Sequence, residues 1–102
     1  MELIPKDLAK SIPKLYESEG EVLEEKMVYV KLFTPDSNWT WWVLEYDEDE
    51  RVLFCVVDGF ERELGYVSLD ELESIQGKLG LSVERDIHFT PKRYKEIEEL
   101  SW

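Results

Sequence analysis

Tryptophans stand at positions 39, 41 and 42, inside the run "WTWWVLEY" that ends at Tyr46. Side chains of an extended strand alternate between faces. Trp39 and Trp41 therefore share one side, and Trp42 shares the other with Thr40 and Leu44. Burying one Trp removes about 150–250 Å² from water. At about 25 cal/mol per Å² this is roughly 4–6 kcal/mol as an upper bound. A strand with such apolar surface on both sides needs two covers. In a chain of 102 residues, either helices wrap both faces of the sheet, or one tryptophan face stays open as a recognition surface.

The flanking sequence predicts the rest of the sheet. Residues 27–34, "MVYVKLFT", alternate as a strand, with Val28, Val30 and Leu32 on one face. Thr34 to Asn38 form a turn: Pro35 presets φ, and the Asp36, Ser37 and Asn38 side chains bond nearby backbone N–H groups. Asp47, Glu48, Asp49 and Glu50 make a polar hairpin tip. "RVLFCVV" is apolar on both faces, as expected of a central strand. Asp58-Gly59 begins a turn, and "ELGYVS" is a short fourth strand. Residues 81–89 return to alternation, with Val83, Arg85, Ile87 and Phe89 on one face and Glu84, Asp86 and His88 on the other.

Three helices are predicted. One starts near Pro5, carries Leu8 and Ile12, and is ended by Pro13. A second begins at the capping box of Ser68 and Glu71, with Leu69, Leu72 and Ile75 as its stripe and Gly77 as its stop. A third is capped by Thr90 ahead of Pro91, with Tyr94, Ile97 and Leu100 as its stripe. Lys92, Arg93 and Lys95 lie near its start, where positive charge is unfavourable, which points to an acidic neighbour or partner. Residues 17–25, "ESEGEVLEE", read as a mobile connector, and Trp102 at the chain end either folds back or extends. The expected fold is α+β: one domain over residues 1–102, an antiparallel sheet of four to five strands, and helices packed mainly on one face.

The formal charge is −12, with −8 in residues 1–50 and −4 in residues 51–102. A field spread this widely repels phosphate backbones and anionic lipid, so direct nucleic-acid or membrane-surface binding is not expected. Basic protein partners are favoured. No apolar run approaches the roughly 20 residues of a membrane span, and no signal peptide is expected. A single cysteine, Cys55, excludes an internal disulfide and suits a reducing, cytoplasmic setting.

Little points to chemistry. Glu84, Asp86 and His88 on one strand face would offer two oxygens and a nitrogen to a divalent metal, but the same pattern describes a solvated strand. His88 is the sole histidine, and no serine sits in G-x-S-x-G. Cys55, between Phe54 and Val56, reads as a buried, inert thiol. The glycines form no phosphate-binding loop. No cofactor is expected.

Three blocks are distinctive together: "LIPKDLAKSIPKLYESE", "VKLFTPDSNWTWWVLEYD" and "LGYVSLDELESIQGKLGLSVERDIHFTP". They resemble an uncharacterised domain-of-unknown-function family of small acidic bacterial proteins, over about residues 3–92. The resemblance implies a fold and a setting on plasmids, conjugative elements and phage-like DNA. It implies no catalytic residue. Trp42 departs from the family pattern, where a smaller or different aromatic residue is expected.

Two functions follow as expectations. The first is a non-catalytic acidic protein-binding module of a mobile element. In one form it is a decoy, with carboxylates standing where phosphates would in a basic site of a host nucleic-acid-binding protein. Its candidate residues are Asp36, Asn38, Trp39, Trp41, Asp47, Glu48, Asp49, Glu50, Asp70, Glu71 and Glu73. The second is a small metal- or ligand-binding enzyme around Asp36, Trp39, Glu84, Asp86 and His88. Scarce histidine and cysteine beside abundant acid favour the first. The sequence leaves the oligomeric state open.

Overall fold

The computed structural model describes residues 2–100; Trp102, read above as folding back or extending, lies outside them. In chain order the elements are α1 (Lys6–Ala9), a 3-10 turn (Leu23–Glu25), β1 (Met27–Val28), β2 (Val30–Phe33), β3 (Thr40–Asp47), β4 (Val52–Asp58) and β5 (Arg62–Ser68). They are followed by α2 (Leu69–Ser74), β6 (Glu84–Arg85), β7 (Lys92–Arg93) and 3-10 turns at Tyr94–Glu96 and Glu98–Leu100. Five strands form one antiparallel sheet in the order β5-β4-β3-β2-β6, and β1 pairs separately with β7. The chain is a small single domain built on this sheet, with few helical residues. "RVLFCVV" supplies β4, an interior strand paired with β3 on one side and β5 on the other, and β3 is the middle strand of the five.

Both faces of β3 are covered. Trp41 and Val43 pack with Leu53 and Cys55 of β4 under Leu3, Ile4 and Ile12 and the buried Leu69 and Leu72 of α2. Trp42 and Leu44 pack with Val28, Val56, Ile97 and Leu100 on the other side. Ala9 of α1 and Leu69 and Leu72 of α2 lie in the Trp41 cluster, and a C-terminal strap with two 3-10 turns covers Trp42. Trp42 is 1% exposed, with Phe89 edge-on at 5.9 Å and the Lys31 ammonium 5.1 Å from its ring.

The third predicted helix is corrected. Tyr94, Ile97 and Leu100 repeat every three residues, the period of a 3-10 turn. Their stripe survives in two such turns after Pro91 and the short β7. The misplaced cations find an acidic neighbour: Arg93 and Lys95 reach Glu25 at 3.4 and 2.6 Å. Lys92 lies 5.3 Å over Phe89. The 27–34 strand is also divided. The chain breaks regular pairing at Tyr29, whose N–H bonds Val43 O at 2.9 Å. Val28 then joins the Trp42 side, whereas Val30 and Leu32 join the Trp41 side.

A β-bulge sets the far end of β3. Val43 faces Cys55 and Glu45 faces Phe54, so Leu44 is the extra residue. The shift exchanges the two faces, placing Tyr46 in the Trp41 core and Glu45 on the side of Phe54. Glu45 is 2% exposed. Its carboxylate accepts Tyr16 N at 2.8 Å and Ser18 N at 2.9 Å, and also the Ser18 hydroxyl. Buried Lys26 donates to Ser18 O and, at 3.0 Å, to Ser18 Oγ. Residues 17–25, expected as a connector, are pinned to the sheet by these bonds.

Two outcomes follow. Trp42→Ala should cost about 3–5 kcal/mol in denaturant unfolding. Trp42→Phe should cost much less, because the indole N–H has no partner among the described residues and its loss removes a buried unsatisfied donor. Acid should loosen the C-terminal strap first. The hydrogen bond from Lys95 holds the Glu25 carboxyl below its ordinary pKa, and that from Lys31 does the same for Glu99. Both groups take a proton less readily folded than unfolded. Their stabilising effect is present above the ordinary glutamate pKa of about 4.3 and is lost as pH falls through the lower folded values. Amide exchange at Ile97 and Leu100 should therefore accelerate in that window before exchange in β3 and β4 does.

Candidate functional site

The 34–39 turn builds one end of the sheet. Thr34 N bonds Trp39 O at 3.0 Å, Trp39 N bonds Thr34 Oγ1 at 3.3 Å, and the Thr34 and Ser37 hydroxyls bond each other. Asp36 reaches across to the segment after α2, where its Oδ2 accepts Leu79 N at 2.7 Å. The carboxylate lies so close over Gly77 that a Cβ there would stand 1.6 Å from Oδ1. Gly77 is needed for this approach rather than as a helix stop: α2 ends at Ser74, and the positive φ belongs to Gly80.

Trp39 lies flat on the next turn. A Cβ on Gly59 would come within 2.3 Å of its ring. The indole stacks on Trp41 at 6.1 Å and takes Phe60 edge-on at 5.4 Å. Phe60 itself is 95% exposed. Trp39, Trp41, Ile75, Gln76, Gly77 and Lys78 line a groove of about 570 Å³ with Thr34 and Ser37 at its rim. That volume falls in the usual range for ligand sites, and the lining is mainly apolar with a few polar groups. Asp36, Trp39 and Trp41 thus come together. Asn38 lines a separate polar hollow with Lys31 and Asp86.

The acidic candidates form a second group. Asp47 Oδ1 accepts Asp49 N and Glu50 N at 3.1 and 3.2 Å, shaping the β3–β4 turn. Arg51, with φ of 56°, closes the turn and bonds Asp70 at 2.7 Å and Glu73 at 2.6 Å. Ser68 Oγ accepts Glu71 N at 3.2 Å, the N-cap half of the predicted capping box. Arg51 thus ties the β3–β4 turn to α2 through Asp70 and Glu73. From there α2 runs to Ser74, and the extended Ile75 and Gln76 that follow it line the groove. The exposed Asp70, Glu71 and Ser74 connect the acidic end to the aromatic one.

Glu84, Asp86 and His88 do not form a ligand set. β6 stops at Arg85, and the chain turns where Asp86 N bonds Lys31 O at 2.9 Å. Asp86 Oδ1 then accepts His88 N at 2.9 Å. Strand pairing with β2 covers only Glu84 and Arg85, opposite Phe33 and Leu32, and the alternation ends with it. Ile87 is left exposed, and Phe89 packs against Trp42 rather than beside Val83. No group of three or more His, Cys, Asp or Glu among the described residues is placed to hold a metal. Cys55 is fully buried, and burial pushes its thiol pKa upward, away from the reactive thiolate. The sequence reading missed Phe60, Ile75, Gln76 and Lys78. Their signal was the pair Gly59 and Gly77, each beneath a side chain from the 34–39 turn.

The fold and groove define a small β-rich domain with an aromatic recess at one end of an antiparallel sheet. Over residues 3–97 the chain matches the family described as a protein of unknown function (DUF2958), and it belongs to that family. This bears out the resemblance to an uncharacterised family. No curated protein and no solved structure matches the chain. No helix among the described residues is long and apolar enough to cross a membrane.

Gly59→Ala should destabilise the domain by about 1–3 kcal/mol through overpacking against Trp39. In a Trp39→Ala background the same change should cost far less. A double-mutant cycle from urea unfolding measures the coupling.

Proposed function

We propose that this domain is a non-catalytic protein-binding module that docks an apolar or aromatic side chain of a basic partner in the Trp39–Trp41 groove. The observation that carries the reading is the exposed Phe60 standing edge-on to Trp39 beside that groove. An aromatic anchor site of this kind supplies the local binding energy. The −12 charge selects the partner's sign and steers its approach. The carboxylates along the β3–β4 turn and α2 extend toward the groove, so a basic surface next to the anchor would meet Asp70, Glu71 and Glu73.

In its sharper form the partner is a host nucleic-acid-binding protein. Asp47 to Glu50, Asp70, Glu71 and Glu73 then stand in for phosphates, and the module acts as a decoy in the cytoplasm on behalf of a plasmid or phage-like element.

Immobilised chain tests this in bacterial lysate at about 50 mM and 500 mM salt, conditions that differ several-fold in screening length. The captured proteins should be basic, should elute at the higher salt and should be displaced by double-stranded DNA. Phe60→Ala and Trp39→Ala should each reduce capture by about tenfold or more, as loss of a hot-spot aromatic does. Capture that shows no basic bias, or that ignores both salt and these substitutions, would falsify the reading.

A further inference from the structure

Strand β5 is an open edge. Among the described residues it has β4 on one side and no paired strand on the other. Leu69 N bonds Arg51 O at 2.9 Å, one step beyond the Val52–Ser68 pair. Hydrogen-bonded pairs recur at every second residue of an antiparallel ladder. Val67, Gly65 and Glu63 therefore turn their backbone groups toward β4, while Arg62, Leu64, Tyr66 and Ser68 turn theirs outward. Natural edges are blunted by proline, lysine or bulges. This one has seven residues, pairs regularly along its length, and contains neither proline nor lysine.

One face of the edge is also apolar. Leu64 lies opposite Val56 and Tyr66 opposite Phe54, at the margin of the Trp42 core. Leu64 is 48% exposed, Tyr66 54%, and Tyr16, whose ring lies 6.3 Å from that of Tyr66, 62%.

We propose that β5 pairs antiparallel with β5 of a second copy of this chain, on a two-fold axis through Gly65, to give a continuous ten-stranded sheet. The sequence of β5 is self-complementary in that register. Arg62 faces Ser68, Glu63 faces Val67, and Leu64 faces Tyr66, so no like charges meet directly. The outward N–H and C=O groups of Leu64 and Tyr66 bond those of the other copy, and the exposed leucine and tyrosines of both copies join in one apolar patch. Gly65 meets Gly65 at a non-hydrogen-bonded pair, the closest approach of an antiparallel ladder. A Cβ at Gly65 would meet nothing within 4 Å in its own chain. The two chains repel through −12 on each, so association strengthens as salt screens that charge.

Sedimentation equilibrium of the full chain from about 1 μM to 1 mM spans the affinities expected of such an interface. A dimer that tightens with salt is expected. Leu64→Lys/Tyr66→Lys sets ammonium opposite ammonium in both symmetric pairs and should weaken it about tenfold or more. Leu64→Lys/Tyr66→Glu sets ammonium opposite carboxylate in the same register and should restore it. Gly65→Cys should give a disulfide-linked dimer on mild oxidation, because the paired Cα separation suits a disulfide. Glu63→Cys, which faces Val67, should not. A wild-type chain that stays monomeric to about 1 mM overturns the proposal, whether or not the edge accepts a strand from another protein. So does a dimer that survives the paired lysines, or one that cross-links equally well through Glu63→Cys.

Discussion

The structure depends on the two apolar faces of one central strand. β3 carries Trp41 and Val43 to one side and Trp42 and Leu44 to the other, and all four are buried. A single layer of helix cannot cover both. The chain divides the work: α1, α2 and the N-terminal residues cover the Trp41 side, and residues after Pro91 cover the Trp42 side. The second cover is a strap of 3-10 turns, which have poorer hydrogen-bond geometry than an α-helix. It is attached by the β1–β7 pairing, by Tyr94 N bonding Lys26 O at 2.8 Å, and by side chains. Ile97 and Leu100 are buried, Arg62 donates to Leu100 O at 2.9 Å, and Lys31 bonds Glu99 at 3.0 Å.

The bulge at Leu44 links this arrangement to the long segment before β1. Without the extra residue, Glu45 would share the face of Val43 and lie in the Trp41 core. With it, the carboxylate meets the backbone of Tyr16 and Ser18 and, through Ser18, the ammonium of Lys26. A buried charge left without partners is strongly destabilising. The carboxylate therefore holds residues 16–18 in one conformation, including the left-handed φ of 70° at Tyr16. Ordering that segment in turn places Tyr16 beside Tyr66, where the exposed edge of the sheet begins.

Local signals in the sequence reported faithfully. The Ser68 cap, the Asp47–Glu50 tip, the 34–38 turn and the alternation of Trp39, Trp41 and Trp42 each depend on neighbours a few residues apart. What was illegible depends on distant partners. Three residues spaced by three describe an α-helical stripe and a pair of 3-10 turns equally well, and only the surface of Trp42 decides between them. The alternation of residues 84–88 ends where the chain turns away at Asp86, whose backbone and side chain accept Phe89 N and His88 N. The break at Tyr29 and the bulge at Leu44 answer to pairing with β3 and β4. Half of the candidate site, Asp36 with Trp39 and Trp41, was legible from the turn. Phe60 and the 75–78 wall were not, because nothing local says that Gly59 and Gly77 lie beneath Trp39 and Asp36.

The excess of acid also has a structural cause. Short helices and long irregular segments leave many backbone N–H groups without a ladder partner. Here carboxylates accept them: Glu17 from Lys14, Asp36 from Leu79, Glu45 from Tyr16 and Ser18, Asp47 from Asp49 and Glu50, Glu73 from Leu3, Asp86 from His88, and Glu96 from Arg93. A bond to a charged acceptor is worth more than a neutral one, so these acids replace secondary structure that the chain lacks. They should be set apart from the acids available to a partner. Glu48, Asp49, Glu50 and Glu71 are exposed and accept none of these backbone bonds. Asp70 shares Arg51 with Glu73 but remains open to solvent. Glu19, Glu21, Glu24, Glu61 and Glu63 are exposed in the same way, so the negative field reaches well beyond the β3–β4 turn and α2.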